Sequence, residues 1–444
     1  MTRPVRRATV FAVLGTLSLA VPLFGPSVGV ALAGLVLAGA FVVTDGPLFD
    51  VLAYPGDYED GRLYGLLTFV LAAVALGLVA VASSMSVAIF VGTVFLVAYG
   101  NLAEQLVRSR RPDGEVLQAT VFTLAAAVAA VAAQSITWWI EGAAIEPMLP
   151  SALFLAASGA LLAALLRDIL LLYDDPIVML SVGVLLWLLS ELEPALGAVE
   201  IAVALAVTIA LGYVSYALET ASIAGMLTGV LLGLVTIVLG GYGWFVVLIA
   251  FFAIGGLSTK FRYDRKEELG VAEDNDGARG SGNVLGNAAV ALAAVLGYAA
   301  SSVSLLPAGL EAELFLFAFT GSIATAMSDT LSSEIGSIYD RPRLITTFEP
   351  VEPGTDGGIT WQGEIAGLLG AAVVAAISLV LFPEVEALGA AIIVVAGFVG
   401  MTVDSLLGAT LEGSVLGNQG VNFLATLSGA IVCALLVLSF AVLG

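Results

Sequence analysis

Histidine is absent from the 444 residues, cysteine occurs once and lysine only twice. Without histidine there is no imidazole acid–base chemistry and no histidine-ligated zinc. The single cysteine, Cys433, can form no intrachain disulfide and falls in the last apolar segment as a packing residue. Charge is scarce and one-sided, with 36 Asp and Glu against 15 Lys and Arg and a formal net charge of −21. That balance argues against a nucleic-acid partner. The acids crowd short loops such as DYEDGR (57–62) and AEDNDG (272–277), a pattern suited to the salt-rich cytoplasm of a halophilic archaeon. No GxxxxGK[ST], no protein-kinase signature set and no GxSxG occurs. Polar segments of about 30 residues leave no room for a soluble nucleotide-binding domain.

What the chain has is hydrocarbon: 60% of its residues are hydrophobic. Apolar runs of roughly 17–22 residues recur, the length that crosses a bilayer. Alternating short segments are missing, so a closed barrel is excluded and helices are the spanning solution. The chain reads as an all-α polytopic membrane protein of about 15 spans. Their expected cores are 8–24, 27–43, 63–82, 85–100, 117–133, 150–168, 176–190, 196–213, 222–239, 242–257, 284–305, 312–328, 363–382, 387–404 and 421–443. The basic start with Arg3, Arg6 and Arg7 lacks a small-residue cleavage site and reads as a retained first helix with a cytosolic N-terminus. Every later cation then falls on the cytosolic side, as the positive-inside rule requires. The opposite loops carry acids, among them Glu141, Glu146, Glu311 and Glu384. The chain divides near 215–221 into an N-terminal membrane domain of about eight spans and a C-terminal one of about seven. GNLAEQL (100–106) faintly echoes SDTLSSEIG (328–336), either by chance or as a decayed repeat.

The chemistry is concentrated in three stretches of the second half, 257–287, 328–358 and 404–422. Asp329 and Asp404 fall at the cytosolic ends of two apolar runs and are flanked by Ser328, Thr330 and Ser405 rather than by solvating charge. Two carboxylates on separate helices suit Mg²⁺, which takes one or two carboxylates together with substrate phosphates. Glu334 lies about 140° around a straight helix from Asp329, so it joins the same metal site only if the helix ends or kinks between them. Asp356 is a further candidate ligand, in PVEPGTDGGIT (350–360). There Gly354, Gly357 and Gly358 allow tight turns, and Thr355 adds a hydroxyl. Such a loop can aim N–H groups at phosphate oxygens if a helix starts behind it; the plainer reading is a connector between spans. Lys260 and Arg279 sit among small residues where an anion can approach, although topological anchoring explains part of the cation pattern. Asn283 and Asn287 share a helix face, a spacing that Asn418 and Asn422 repeat. Capping and interhelical bonding compete with ligand binding for both pairs.

STKFRYDRKEELGVAEDNDGARGSGNVLGN, SDTLSSEIGS, PRLITTFEPVEPGTDGGIT and VDSLLGATLEG resemble, in that order, the integral-membrane family catalogued as domain of unknown function 92. That family includes a plant phytyl-phosphate kinase. The resemblance covers residues 215–444 and implies a CTP-dependent kinase acting on an isoprenoid alcohol or monophosphate at the cytosolic face of a cell membrane. A looser similarity extends to polyprenol kinases and CDP-diacylglycerol synthases, so a cytidylyltransferase is the nearest alternative. A non-enzymatic transporter is the other, and it predicts charge at the membrane midplane rather than at one surface. On the kinase reading Asp329, Asp404 and Glu334 act catalytically and, with Asp356, hold Mg²⁺. Lys260, Arg279, Asn283, Asn287, Gly354, Thr355, Gly357, Gly358 and Asn422 bind CTP.

Overall fold

The computed structural model describes residues 2–169, 174–194, 197–269, 279–303, 305–307 and 310–443. The acidic loop 272–277 lies outside the described residues. Among those residues thirteen helices are long and apolar enough to cross a membrane, or fourteen if one bent pair counts as a span. The chain is an all-α polytopic membrane protein with fewer qualifying spans than the sequence suggests. The difference lies in two expected cores. Residues 27–43 and 176–190 do form helices, Pro26–Val42 and Asp175–Glu191, but each has only 17 residues. The first breaks by 114° into Gly46–Leu52, where Gly46 takes a positive φ of 82° and a proline starts the next helix.

The chain forms two compact units, Met1–Val203 and Ala204–Gly444. The first holds α1 (Arg3–Gly15), α2 (Ala20–Phe24), α3 (Pro26–Val42), α4 (Gly46–Leu52), α5 (Asp57–Asp60), α6 (Tyr64–Ala82), α7 (Val87–Arg108), α8 (Glu115–Ile140), α9 (Leu149–Ile169) and α10 (Asp175–Glu191). Helix α7 is its centre, packed against α1, α6, α8, α9 and α10. Gly92 and Gly100 admit Gln134 and Phe122 of α8 against its backbone.

Helix α11 (Ala198–Ala217) leads into the second unit. There follow α12 (Ile223–Gly240), α13 (Tyr242–Thr259), α14 (Tyr263–Leu269), α15 (Ser281–Ser302) and α16 (Ala312–Gly336). A two-residue hairpin, β1 (Arg343–Leu344) against β2 (Gly358–Ile359), precedes α17 (Trp361–Leu381), α18 (Ala387–Leu411) and α19 (Asn418–Leu443). Here α16 is the centre, packed by α13, α15, α17, α18 and α19. In lipid the hydrophobic effect does not hold helices together, so close packing and interhelical hydrogen bonds must. Small residues supply that approach. A Cβ at Gly367 of α17 would lie 2.9 Å from the Ser328 carbonyl, one at Gly397 of α18 3.1 Å from that of Ala324, and one at Gly429 of α19 3.0 Å from that of Gly321. The Ser328 hydroxyl donates across the seam to the Gly367 carbonyl at 2.9 Å. Trp244 packs on Phe319 with the rings tilted by 43° at a centroid distance of 4.6 Å, closing the α13 side.

Candidate functional site

Both helices that carry the paired aspartates run past the end of their apolar segments. The expected cores stop at 328 and 404, whereas α16 continues to Gly336 and α18 to Leu411. Serine, threonine and glycine are weak helix formers, but packing by neighbouring helices overrides that preference. The polar extensions of α16 and α18, the loop 353–358 and the starts of α15, α17 and α19 enclose a cavity of about 340 Å³. All of it belongs to the second unit.

Twelve of the thirteen site residues named from the sequence line this cavity: Arg279, Asn283, Asn287, Asp329, Glu334, Gly354, Thr355, Asp356, Gly357, Gly358, Asp404 and Asn422. Lys260 does not; its ammonium sits 5.9 Å from the Tyr263 ring centroid. The carboxyl groups of Asp329 and Asp404 lie within hydrogen-bonding reach of each other. Asp404 Oδ2 is buried and accepts no hydrogen bond. Two carboxylates in contact repel, and a shared proton or a cation relieves that repulsion. Among the described residues no group of three or more Asp, Glu or Cys side chains is gathered for a metal ion. A two-carboxylate donor set with one orphaned oxygen fits Mg²⁺, whose remaining ligands are ordinarily phosphate and water oxygens.

Glu334 faces the cavity from the same unbroken helix as Asp329, with no kink between them. Its partner is Lys266, 2% exposed, whose ammonium also donates to the Ser258 carbonyl at 3.0 Å and the Thr259 carbonyl at 3.2 Å. Lys266 thus caps the last carbonyls of α13 and pins Glu334. The sequence reading passed it over. Its only signal is its place in the charged run RYDRKEEL, where nothing in the pattern tells which cation turns inward.

Arg279, 5% exposed, is strapped in place by its backbone. Its N–H donates to the Thr220 carbonyl at 3.0 Å, and its carbonyl accepts from Ser222 N–H at 3.1 Å. A side chain at Gly225 would collide with that carbonyl. The guanidinium carbon lies 5.5 Å from the Phe251 ring centroid.

Opposite, Gly357 adopts φ of 73° and rests on α18, where any Cβ would collide with Ala409. The loop is tied by Gly358 N–H to the Thr355 carbonyl at 2.9 Å and by Ile345 N–H to the Gly357 carbonyl at 3.0 Å. Directly behind it Thr360 caps α17, its hydroxyl accepting from Gly363 N–H at 3.2 Å. The asparagines pair along their helices: Asn287 Nδ2 donates to the Asn283 carbonyl at 2.9 Å, and Asn422 Nδ2 to Asn418 Oδ1 at 3.3 Å. Glu412 closes the rim, its carboxyl pushed up by burial and then by the charge of Asp356, against a hydrogen bond from Asn418.

Fold and site together define a polytopic α-helical membrane protein with a polar, carboxylate-bearing cavity at the helix ends of its second unit. The chain belongs to the integral membrane family DUF92, whose model matches residues 206–430. It is 33% identical over 220 residues to the uncharacterized membrane protein MJ0933 of Methanocaldococcus jannaschii, covering 48% of this chain and 84% of that one. It is 33% identical over 222 residues to Protein VTE6, chloroplastic, of Arabidopsis thaliana, covering 48% of this chain and 65% of that protein. Protein PGR of the same plant is 29% identical over 228 residues, 42% of this chain and 79% of PGR. No solved structure matches.

Proposed function

We propose that the second unit is a phosphotransferase that moves the γ-phosphoryl group of CTP onto an isoprenyl monophosphate held in the membrane, with the cavity facing the cytosol. The observation that carries this reading is the contact of Asp329 with Asp404, with one buried oxygen left without a donor, inside a cavity that also holds Arg279. Likeness to a family that includes a phytyl-phosphate kinase supports the choice of acceptor.

Asp329 and Asp404 would hold Mg²⁺, which when bound neutralises phosphate charge and orients the transferring group. Glu334, pinned by Lys266, and the rim residue Asp356 would join such an ion directly or through water. Arg279 would bind phosphate oxygens through its fork of N–H donors, and the 354–358 turn would add the backbone N–H groups of Gly354, Asp356 and Gly357, those of Thr355 and Gly358 being bonded to neighbouring carbonyls. An acceptor monophosphate oxygen attacks the γ-phosphorus. The bond from that phosphorus to the oxygen it shares with the β-phosphorus breaks, and CDP leaves with the electron pair. The acceptor oxygen is already ionised near neutral pH, so no histidine or other strong base is required. An isoprenoid alcohol would instead have to give its proton to a carboxylate.

The test uses the full chain in nanodiscs with Mg²⁺, CTP and phytyl or geranylgeranyl monophosphate. Isoprenyl diphosphate and CDP are the expected products. A CDP-lipid with pyrophosphate would identify a cytidylyltransferase instead, and no turnover across a panel of isoprenoids would remove the enzyme reading. Asp404→Asn should lower kcat about 10²–10³-fold, the scale of losing a charge-stabilising group in a dry site.

A further inference from the structure

We propose that a cleft between α11, α12 and α13 holds the hydrocarbon chain of the acceptor, and that Arg279 is the junction between this cleft and the polar cavity; the inference rests on the function proposed above. The cleft, about 200 Å³, is walled by residues such as Leu211, Val214, Met226, Phe245, Ile249 and Phe252. Its hydroxyls are turned into the protein. Thr208 donates to the Ala204 carbonyl at 2.9 Å and Thr220 to the Ser215 carbonyl at 2.9 Å. Among the described residues Arg279 is the one charged residue in the lining, and it also lines the polar cavity. Leu218 and Leu257 at the margin are 59% and 63% exposed, so the cleft opens on the apolar outer surface, where bilayer chains lie.

A hydrocarbon groove with a buried guanidinium at one end complements an amphiphile with an anionic head. A comparable apolar cleft in the first unit, about 140 Å³ and lined by α1, α3, α6 and α7, carries no charged side chain among the described residues, in contrast to the Arg279 end of this one. The occupant inferred here is a single prenyl chain ending in a phosphate. Its head passes Arg279 to reach the carboxylate pair.

The experiment uses the full chain in nanodiscs and a geranylgeranyl monophosphate bearing a diazirine on its terminal isoprene unit. Photolysis should label the walls of α11–α13, and unlabelled geranylgeranyl monophosphate should compete better than geranylgeraniol or phosphatidate. Gly229 lines the cleft, and a Cβ there meets nothing within 4 Å, so Gly229→Phe fills space without a clash at its first carbon. It should lower kcat/KM for geranylgeranyl monophosphate about tenfold more than for dimethylallyl monophosphate, a difference of about 1.4 kcal/mol. Labels confined to other helices, better competition by phosphatidate, or equal losses for both acceptors would overturn the cleft and leave the kinase reading standing. Competed labelling of the cleft by a protein that phosphorylates no isoprenoid would keep the cleft and remove the kinase.

Discussion

In the first unit Arg167, near the end of α9, is ringed by acceptors: Asn101 at 3.1 Å, Asp175 at 3.2 Å, Glu104 at 3.4 Å and Asp174 at 3.6 Å. Arg108 adds a second cation to Glu104 at 2.5 Å. In the second unit Arg279, Asp329, Glu334 and Asp404 border an open cavity, and one oxygen of Asp404 has no donor. The ingredients are alike, namely polar residues at the ends of apolar helices, and the echoing segments 100–106 and 328–336 both lie on the central helix of their unit. The difference is closure. One cluster pairs its charges among themselves, although Arg167 Nε donates no hydrogen bond, and is accounted for by structure alone. The other leaves charge for something outside the protein to complete, and that separates a ligand site from an ion-pair anchor.

The sharpest way to break this contrast is to remove a member of each cluster and measure thermal unfolding of the intact protein. Arg167→Met strands Asp174 and Asp175 and leaves Glu104 with Arg108 alone, and should cost about 3–5 kcal/mol, the usual penalty for breaking a buried pair on one side. Asp404→Asn, which relieves a contact between like charges, should cost less than about 1 kcal/mol. Equal losses would mean that both clusters are structural.

Much of this arrangement was open to reading from the residues. Asp329 and Asp404 follow long apolar runs and are flanked by hydroxyls, which is where the polar cavity opens, and the asparagine spacing gave Asn283 with Asn287 and Asn418 with Asn422 shared helix faces, all four of which line it. The rest depended on contacts that sequence does not encode locally. How far α16 and α18 continue past their apolar runs is set by α17 and α19 packing against them. The breadth of the cavity lets Asp329 and Glu334 share it without a kink, although helical geometry sets them far apart around the axis. In the charged run RYDRKEEL the backbone turns at Arg262, with φ of 50°, and Lys266 reaches Glu334 on α16, a contact between segments far apart in the chain. Two of the expected spans fell short because a break at Gly46 and the short α10 limit them to 17 residues each.

Lys266 tests the boundary between the two kinds of cluster, because its ion pair with Glu334 is closed on one side and faces the cavity on the other. Lys266→Met should cost about 2–3 kcal/mol, less than Arg167→Met because Glu334 can turn toward water in the cavity. If Lys266 only anchors α14, the KM for CTP will stay unchanged. If it positions Glu334 at the site, that KM will rise, and Lys266→Arg will restore it in part by returning the charge.

The smallest effect belongs to Glu412, whose carboxyl is raised above its ordinary value of 4.5 chiefly by burial and next by Asp356. Among the described residues no ion pair includes it, in contrast to the carboxylates around Arg167. A carboxyl that holds its proton more tightly when folded makes the native state the better proton binder between its unfolded and folded pKa values. Stability contributed by the protonated form is therefore present below the unfolded value and lost as pH rises through the raised one. Glu412→Gln keeps the shape and removes the titration. The variant's thermal midpoint should accordingly fall less than that of the parent chain as pH is raised from about 4 to about 7. Parallel curves would mean that the rim charge is already screened by solvent, and that the open character of the second unit's cluster is confined to the Asp329–Asp404 pair.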